Sequence, residues 1–150
     1  MTTLSEKIAE ALKEAMKNKD EARKRTIRAI KSQILLMQTD GSGLEITEER
    51  EVKMLQTMLK QREDSAATYL SGGRNDLAAV EQEEIEIIKE FLPKQLSESE
   101  LSDFIQKLIS ELGASGLKDL GRVIGEANKR LSGQSDGKSI ASAVKSLLGA

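Results

Sequence analysis

Apolar residues recur every three or four positions along almost the whole chain, and runs of β-branched residues alternating with polar ones are missing, so the period predicts helices throughout. The first stripe is Leu4, Ile8, Leu12 and Ala15. Thr3 and Glu6 precede it at the spacing of a capping box, in which each side chain satisfies a backbone N–H that a helix start leaves unpaired. This helix should end near Asn18. A second, from about Asp20, carries Ile27, Ile30, Ile34 and Met37 and stops at Asp40-Gly-Ser-Gly43, where glycine relaxes the backbone and a mobile loop is expected. Thr47 can cap a third helix, with Glu48 and Glu49 favourable against its N-terminal dipole. Val52, Leu55, Leu59 and Leu70 mark its apolar side, and Gly72 and Gly73 end it. Asn75 is the expected cap of a fourth helix bearing Leu77, Val80, Ile87, Ile88 and Phe91.

The only proline, Pro93, disfavours helix at Leu92 and suggests a domain boundary, with an N-terminal helical domain over 1–93 and a small helical domain over 94–150. Beyond it Ser97 and Glu100 form a second capping box ahead of Leu101, Phe104, Ile105, Leu108 and Leu112, and Gly113 can supply a left-handed cap. Leu117, Leu120, Ile124 and Leu131 outline a sixth helix; Ile140, Val144 and Leu147 outline a seventh, capped by Asp136. The expected fold is therefore all-α: a bundle or hairpin of long N-terminal helices, then a three-helix unit near the lower size limit for independent folding.

Cysteine and histidine are both absent from the 150 residues. Disulfides, thiolate sites and cysteine nucleophiles are thereby excluded, together with the commonest general base and transition-metal ligand. Scattered serines do not make a nucleophile and base pair, so no catalytic residue, metal or cofactor is expected. The N-terminus carries charges every few residues and lacks the apolar run of a signal peptide, and no stretch reaches membrane-spanning length; a cytoplasmic protein with no membrane partner is expected. The net charge of −2 is unevenly spread. Residues 1–40 hold nine Lys or Arg against six Asp or Glu, 41–92 six against twelve, 93–111 two against four, and 112–150 six against three.

Glu81, Glu83, Glu84 and Glu86 suggest a di-iron bundle, but such sites use Glu-x-x-His pairs, which this chain cannot supply. A solvated acidic face pairing with Lys60, Arg62 or Arg74 is the expected reading. Arg23, Lys24, Arg25, Arg28 and Lys31 line the second helix among acidic neighbours and read as a solubilising face. Near the C-terminus Lys118, Arg122, Lys129 and Arg130 fall on one predicted helix and Lys138 begins the next. Between them Gly133-Gln-Ser-Asp-Gly137 is either an ordinary turn capped by Asp136 or a loop whose glycines let backbone amides approach an anion. Gly121 and Gly125, four apart, suggest close helix packing. With one Tyr, two Phe and no Trp, base-stacking platforms are lacking, so an RNA partner would be recognised by folded shape and phosphate contacts.

Four stretches stand out together: Lys60-Gln-Arg62 with Ser65; Gly73-Arg74-Asn-Asp76-Leu77; the Glu84-to-Pro93 segment with Gln95 and Leu96; and Asp119-Leu-Gly121 through Gly125 to Gly133-Gln-Ser-Asp-Gly137. In these stretches the chain resembles the YqeY family, which is similar to the C-terminal tail region of the B subunit of glutamyl-tRNA(Gln) amidotransferase. The resemblance spans nearly the whole chain and implies a two-part all-α fold. In the amidotransferase the related tail is implicated in contacting tRNA, while the kinase and transamidation chemistry belongs to other domains and subunits. The chain departs from the family pattern at Gln134, where a basic residue is expected, which removes one phosphate contact.

Together these readings predict a non-catalytic tRNA-binding or amidotransferase-associated protein. Lys118, Arg122, Lys129, Arg130 and Lys138 would meet phosphates, with Gly133 and Gly137 shaping the turn. Lys60, Arg62, Ser65, Arg74, Asp76, Glu84 and Pro93 are family-motif residues with either a structural role or a place in a polar groove. The alternative is a protein–protein adaptor, for amidotransferase subunits or another protein, presenting Ile, Leu and Met faces of the N-terminal helices. A third reading, a carbon–nitrogen ligase with glutamine as amide donor, rests on family association alone.

Overall fold

The computed structural model describes residues 3–149, and among them every regular element is a helix. The chain divides into two compact units, Met1–Leu92 and Pro93–Ala150.

The first unit contains α1 (Leu4–Lys17), α2 (Glu21–Gln38), α3 (Glu48–Ser71) and α4 (Asn75–Lys89). Three of these begin on a side-chain cap. Thr3 and Glu6 close the capping box of α1, Asp20 accepts from the Arg23 N–H at 3.1 Å, and Thr47 accepts from the Arg50 N–H at 3.2 Å. The helix α4 differs from expectation: Arg74 occupies its N-cap with no side-chain bond, and Asn75 is already helical. Arg74 instead holds Asp76 through two hydrogen bonds of 3.1 and 3.2 Å.

Helix α1 packs on α2, α3 on α4, and α2 on α4. Their shared core includes Ile8, Ile27, Ile30, Ile34, Leu55, Leu59, Ile85 and Ile88, extended by Met54, Met58 and Ala66. Leu12, Met37, Val52 and Phe91 lie partly buried against it. Two residues assigned to this interior lie outside it: Leu70 and Val80 are exposed. Leu70 follows the buried Ala66 by one turn and shares its face, but it sits in the last turn of α3, before Gly73 reverses the chain at φ +74. Phase gives a side chain its direction and leaves open whether a neighbour covers it.

The acidic face of α4 is also less uniform than expected. Glu84 is buried, one turn before Ile88, and a buried carboxylate calls for a charged or hydrogen-bonding partner. Arg25 reaches it from α2, with Nε 3.8 Å from Glu84 and a second guanidinium nitrogen 3.5 Å from Glu83. Arg23 adds a 2.6 Å pair to Glu90. Of the three expected partners, Arg74 pairs with Asp76 at 3.1 Å and Lys60 with Asp64 at 3.3 Å.

The second unit contains α5 (Glu98–Leu112), a short 3-10 turn (Leu117–Asp119), α6 (Leu120–Arg130) and α7 (Gly137–Gly149). Ser97 and Glu100 close the second capping box, and Gly113 ends α5 in the left-handed region at φ +62. Leu101, Ile105, Leu108, Val123, Ala127, Leu131, Ile140, Val144 and Leu148 form the core. Leu117 and Lys118 belong to the 3-10 turn and not to α6, and Leu117 is exposed. The reason is local: Asp119 accepts the Ser115 N–H at 2.8 Å, which tightens the chain just before the α-helix starts. Gly121 and Gly125 do not mediate packing either, since a Cβ at each would meet nothing within 4 Å.

An exposed glycine inside a helix costs about 1 kcal/mol relative to alanine when no neighbour needs the space. Gly125→Ala should therefore stabilise the second unit by about that amount in thermal or urea denaturation; a destabilised variant would show that the open side of α6 is in fact closed.

Acid sensitivity follows from the same local bonds. The Ser97 backbone N–H, helped by Lys94, holds the Glu100 carboxyl below its ordinary value, and the Ser115 N–H does the same for Asp119. A carboxylate lowered on folding contributes stability that is present above its unfolded pKa and lost as pH falls through the folded one. The melting temperature should thus hold from neutral pH down to the ordinary carboxylate range and decline below it. Glu100→Gln should make that decline shallower, and an unchanged acid profile would remove Glu100 from the explanation.

Candidate nucleic-acid interface

The cations singled out in the C-terminal region are Lys118 in the 3-10 turn, Arg122, Lys129 and Arg130 on α6, and Lys138 in the first turn of α7. All five are exposed. They differ in what each already holds. Arg130 forms a two-point contact with Glu111 of α5, at 2.7 and 3.0 Å, and its Nε donates to Glu126 at 3.0 Å. Glu111 in particular, with Glu126, pushes the Arg130 pKa up, while Arg130 holds the Glu111 carboxyl below its usual range. A guanidinium has five N–H donors in a fixed fork, and three of them are engaged here. Arg130 therefore ties α5 to α6 and is poorly placed to meet a phosphate.

Arg122 is less committed, with one guanidinium nitrogen 3.4 Å from Asp119. Lys129 and Lys138 form no ion pair among the described residues. Arg122 and Lys129, seven apart on α6, stand on the same side of the helix about 10 Å apart along its axis. Gly125 lies between them and Gly121 beside them, so bare backbone is flanked by two cations. Among the described residues from 112 onward the three acidic side chains are all engaged: Asp119 with Ser115 and Arg122, Glu126 with Arg130, and Asp136 with the Ser139 N–H at 2.6 Å.

The turn from Gly133 to Gly137 is not an open anion cradle. Gly133 is buried at φ +82, and its carbonyl accepts from the Gln95 side chain at 2.5 Å. The Gln134 carbonyl accepts from the Leu96 N–H at 2.9 Å. The turn is thus fastened to the segment after Pro93, whose own carbonyl also accepts from Gln95 at 2.9 Å. At the α7 N-terminus the Asp136 carboxylate occupies the place an anion would take. Of the two readings of this turn, the ordinary capped turn describes the geometry.

The family-motif residues do not gather into one cluster. Arg74 and Asp76 hold each other, Glu84 is matched by Arg25, and Lys60 pairs with Asp64. Arg62 and Ser65 are half-buried on α3. In sequence Arg25 belongs to a solubilising run; its pairing with Glu83 and Glu84 depends on the packing of α2 on α4, which no local spacing encodes. All three aromatic rings, Tyr69, Phe91 and Phe104, are half-buried, so none is displayed for base stacking. Among the described residues no group of three acidic side chains could hold a metal ion, and no helix is long and apolar enough to cross a membrane.

Among curated proteins the chain is similar to yeast proteins named Altered inheritance of mitochondria protein 41, mitochondrial. The one from Lachancea thermotolerans is 37% identical over 106 residues, covering 69% of this chain and 57% of its own length. That from Vanderwaltozyma polyspora is 30% identical over 115 residues, covering 73% and 62%. That from Saccharomyces cerevisiae is 34% identical over 103 residues, covering 67% and 56%. The matched region thus spans less than two thirds of these relatives, and their names place them in mitochondria, where the reading of this N-terminus expected a cytoplasmic protein. The pattern of the family described as Yqey-like protein matches residues 5–148, nearly the entire chain; the chain belongs to the YqeY family.

Proposed function

We propose that this protein is a non-catalytic RNA-binding member of its family, with tRNA as the partner and the exposed face of α6 and its flanks as the contact surface. The observation that carries this reading is the state of the charges over 112–150. Among the described residues every acidic side chain there is engaged within the unit, whereas Lys129 and Lys138 have no ion pair and Arg122 has one contact of 3.4 Å. Cations left in water beside bare helical backbone suit a phosphate backbone, which contributes affinity through counterion release and needs no base reading. The lack of a displayed aromatic ring favours recognition of folded RNA over single strands.

The reading runs on a two-part scaffold, an N-terminal helical bundle over 1–93 and a three-helix domain over 94–150, with the second domain making the contact. It places Lys118, Arg122, Lys129 and Lys138 on phosphates and assigns Arg130 and Gly133 to holding the domain together. Association with tRNA-dependent amide transfer would be as an accessory, since the chain has neither His nor Cys to serve as base or nucleophile. Both the mitochondrial location in the relatives' names and a cytoplasmic one are compartments that contain tRNA.

The test is equilibrium binding of the purified chain to total tRNA across a salt series. Saturable binding should weaken linearly in the logarithm of salt, with a slope of about −0.9 per phosphate neutralised. Arg122→Glu with Lys129→Glu should weaken binding and flatten that slope, whereas Arg130→Gln should leave the slope unchanged. No binding at low salt, or binding indifferent to the double charge reversal, would overturn the reading.

A further inference from the structure

Seven large apolar side chains are exposed among the described residues, and three of them lie close in sequence: Leu35, Leu36 and Leu44, at 58, 59 and 65% exposure. The first two stand in the last turn of α2 and the third in the loop that follows. That loop is fastened in place. The Ser42 N–H donates to Asp40 at 2.9 Å, and the Leu44 N–H to the Ser42 hydroxyl at 3.1 Å. The Arg50 guanidinium donates to the carbonyls of Leu44 and Glu45 at 3.2 and 3.1 Å while pairing with Asp40 at 3.3 Å. The three leucines therefore fall within ten residues of one another where α2 passes into a loop that is held by its own bonds.

The charges beside this apolar centre are sorted by sign. Arg28, Lys31 and Leu35 follow one another at three and four residues, so they share the exposed side of α2. After the leucines along the chain come Glu45 in the loop and Glu48 and Glu49 in the first turn of α3, all exposed. None of these five charged side chains has an ion-pair partner among the described residues, although Arg23, Lys24 and Arg25 on the same helix all do.

We propose that this end of the first unit is a self-association surface and that its occupant is a second copy of the chain. In a two-fold pair the same patch meets itself, so the cationic flank of one copy lies against the acidic flank of the other. Leu35, Leu36 and Leu44 sit at the centre, and Arg28 and Lys31 of each copy face Glu45, Glu48 and Glu49 of the other. An apolar centre with a charged rim is the ordinary composition of such an interface. Charge complementarity selects this occupant over others: an anionic surface would be repelled by the three glutamates, and a basic segment by Arg28 and Lys31. With three leucines per copy the contact is small, and the pair is a weak, concentration-dependent one.

The experiment is sedimentation velocity on the full chain over a concentration series at low and moderate salt. The expected result is a rise in sedimentation coefficient with concentration that shrinks as salt screens the rim. Leu36→Glu should hold the chain at the monomer value throughout, with its helical circular dichroism unchanged because the side chain is exposed. Lys31→Glu and Glu48→Lys should each lose association alone and recover it when mixed, because only the mixed pair restores both cross-contacts. A monomer at every concentration in low salt, or a dimer indifferent to Leu36→Glu, overturns the proposal, and so does a monomer that binds anionic vesicles through this patch. All the substitutions lie in the first unit, so RNA binding through the second is scored separately.

Discussion

Burial of one apolar stripe per helix is the constraint on which everything else in this chain rests. Helices of eleven to twenty-four residues are marginal alone in water, because nucleation is costly and each added residue contributes little. A side-chain cap is worth about 1 kcal/mol. Removing one buried isoleucine or leucine side chain costs about 2–5 kcal/mol. The caps at Thr3, Asp20, Thr47 and Ser97 therefore choose where helices begin, while Ile8, Ile27, Ile30, Leu55 and Ile88 in one unit, and Ile105, Leu108, Leu131 and Ile140 in the other, decide that they persist. Each unit draws its core from all its α-helices. The inward faces are thereby used up, and any recognition has to occur on the outward ones.

On the outward faces the number of cations is a poor guide, and what each already holds is a better one. The run Arg23-Lys24-Arg25 is denser than any C-terminal group, yet all three side chains have acidic partners within the first unit. Exposed pairs of this kind add little stability. The pairs of Arg23 and Arg25 link α2 to α4 and its C-cap and neutralise Glu84 where it is buried, while that of Lys24 stays within α2. Arg130 is the counterpart in the second unit, joining α5 and α6 through Glu111 and Glu126. The surfaces that remain are those whose charges have no local partner.

The features legible from sequence are those encoded within a turn or two of helix. Both capping boxes, the Thr47 and Asp136 caps, the left-handed Gly113 and the stripes through Ile30 and Ile105 depend on residues three or four apart, and such spacing is visible in a linear string. Features set by another segment were not legible. Leu70 and Val80 have the right phase but no neighbour to cover them. Glu84 resembles its acidic neighbours until Arg25 arrives from a helix some sixty residues earlier. The same limit divides the candidate site. That Lys118, Arg122, Lys129, Arg130 and Lys138 are exposed could be read from composition, but that Arg130 is held by Glu111, nineteen residues away, could not. Gln95 likewise closes the Gly133 turn across thirty-eight residues.

The glycines of α6 connect the energetics to the function proposed for this helix. Gly121 and Gly125 sit within an eleven-residue helix whose neighbours leave the space beside them open. In a unit of under sixty residues without disulfides, a deficit of about 1 kcal/mol at an interior glycine is a substantial part of a small total. Nothing inside the unit offsets it, because no side chain moves into the vacant position. If a phosphate backbone lies along this face, the missing side chains shorten the approach of Arg122 and Lys129 to it, and the lost helix stability is exchanged for closer contact with charge. Alanine at Gly125 then separates the two quantities: it returns stability to the helix and places a methyl group between the cations. A face that serves only to be solvated would gain from that change in every respect, whereas a face that meets RNA would gain stability and lose affinity together.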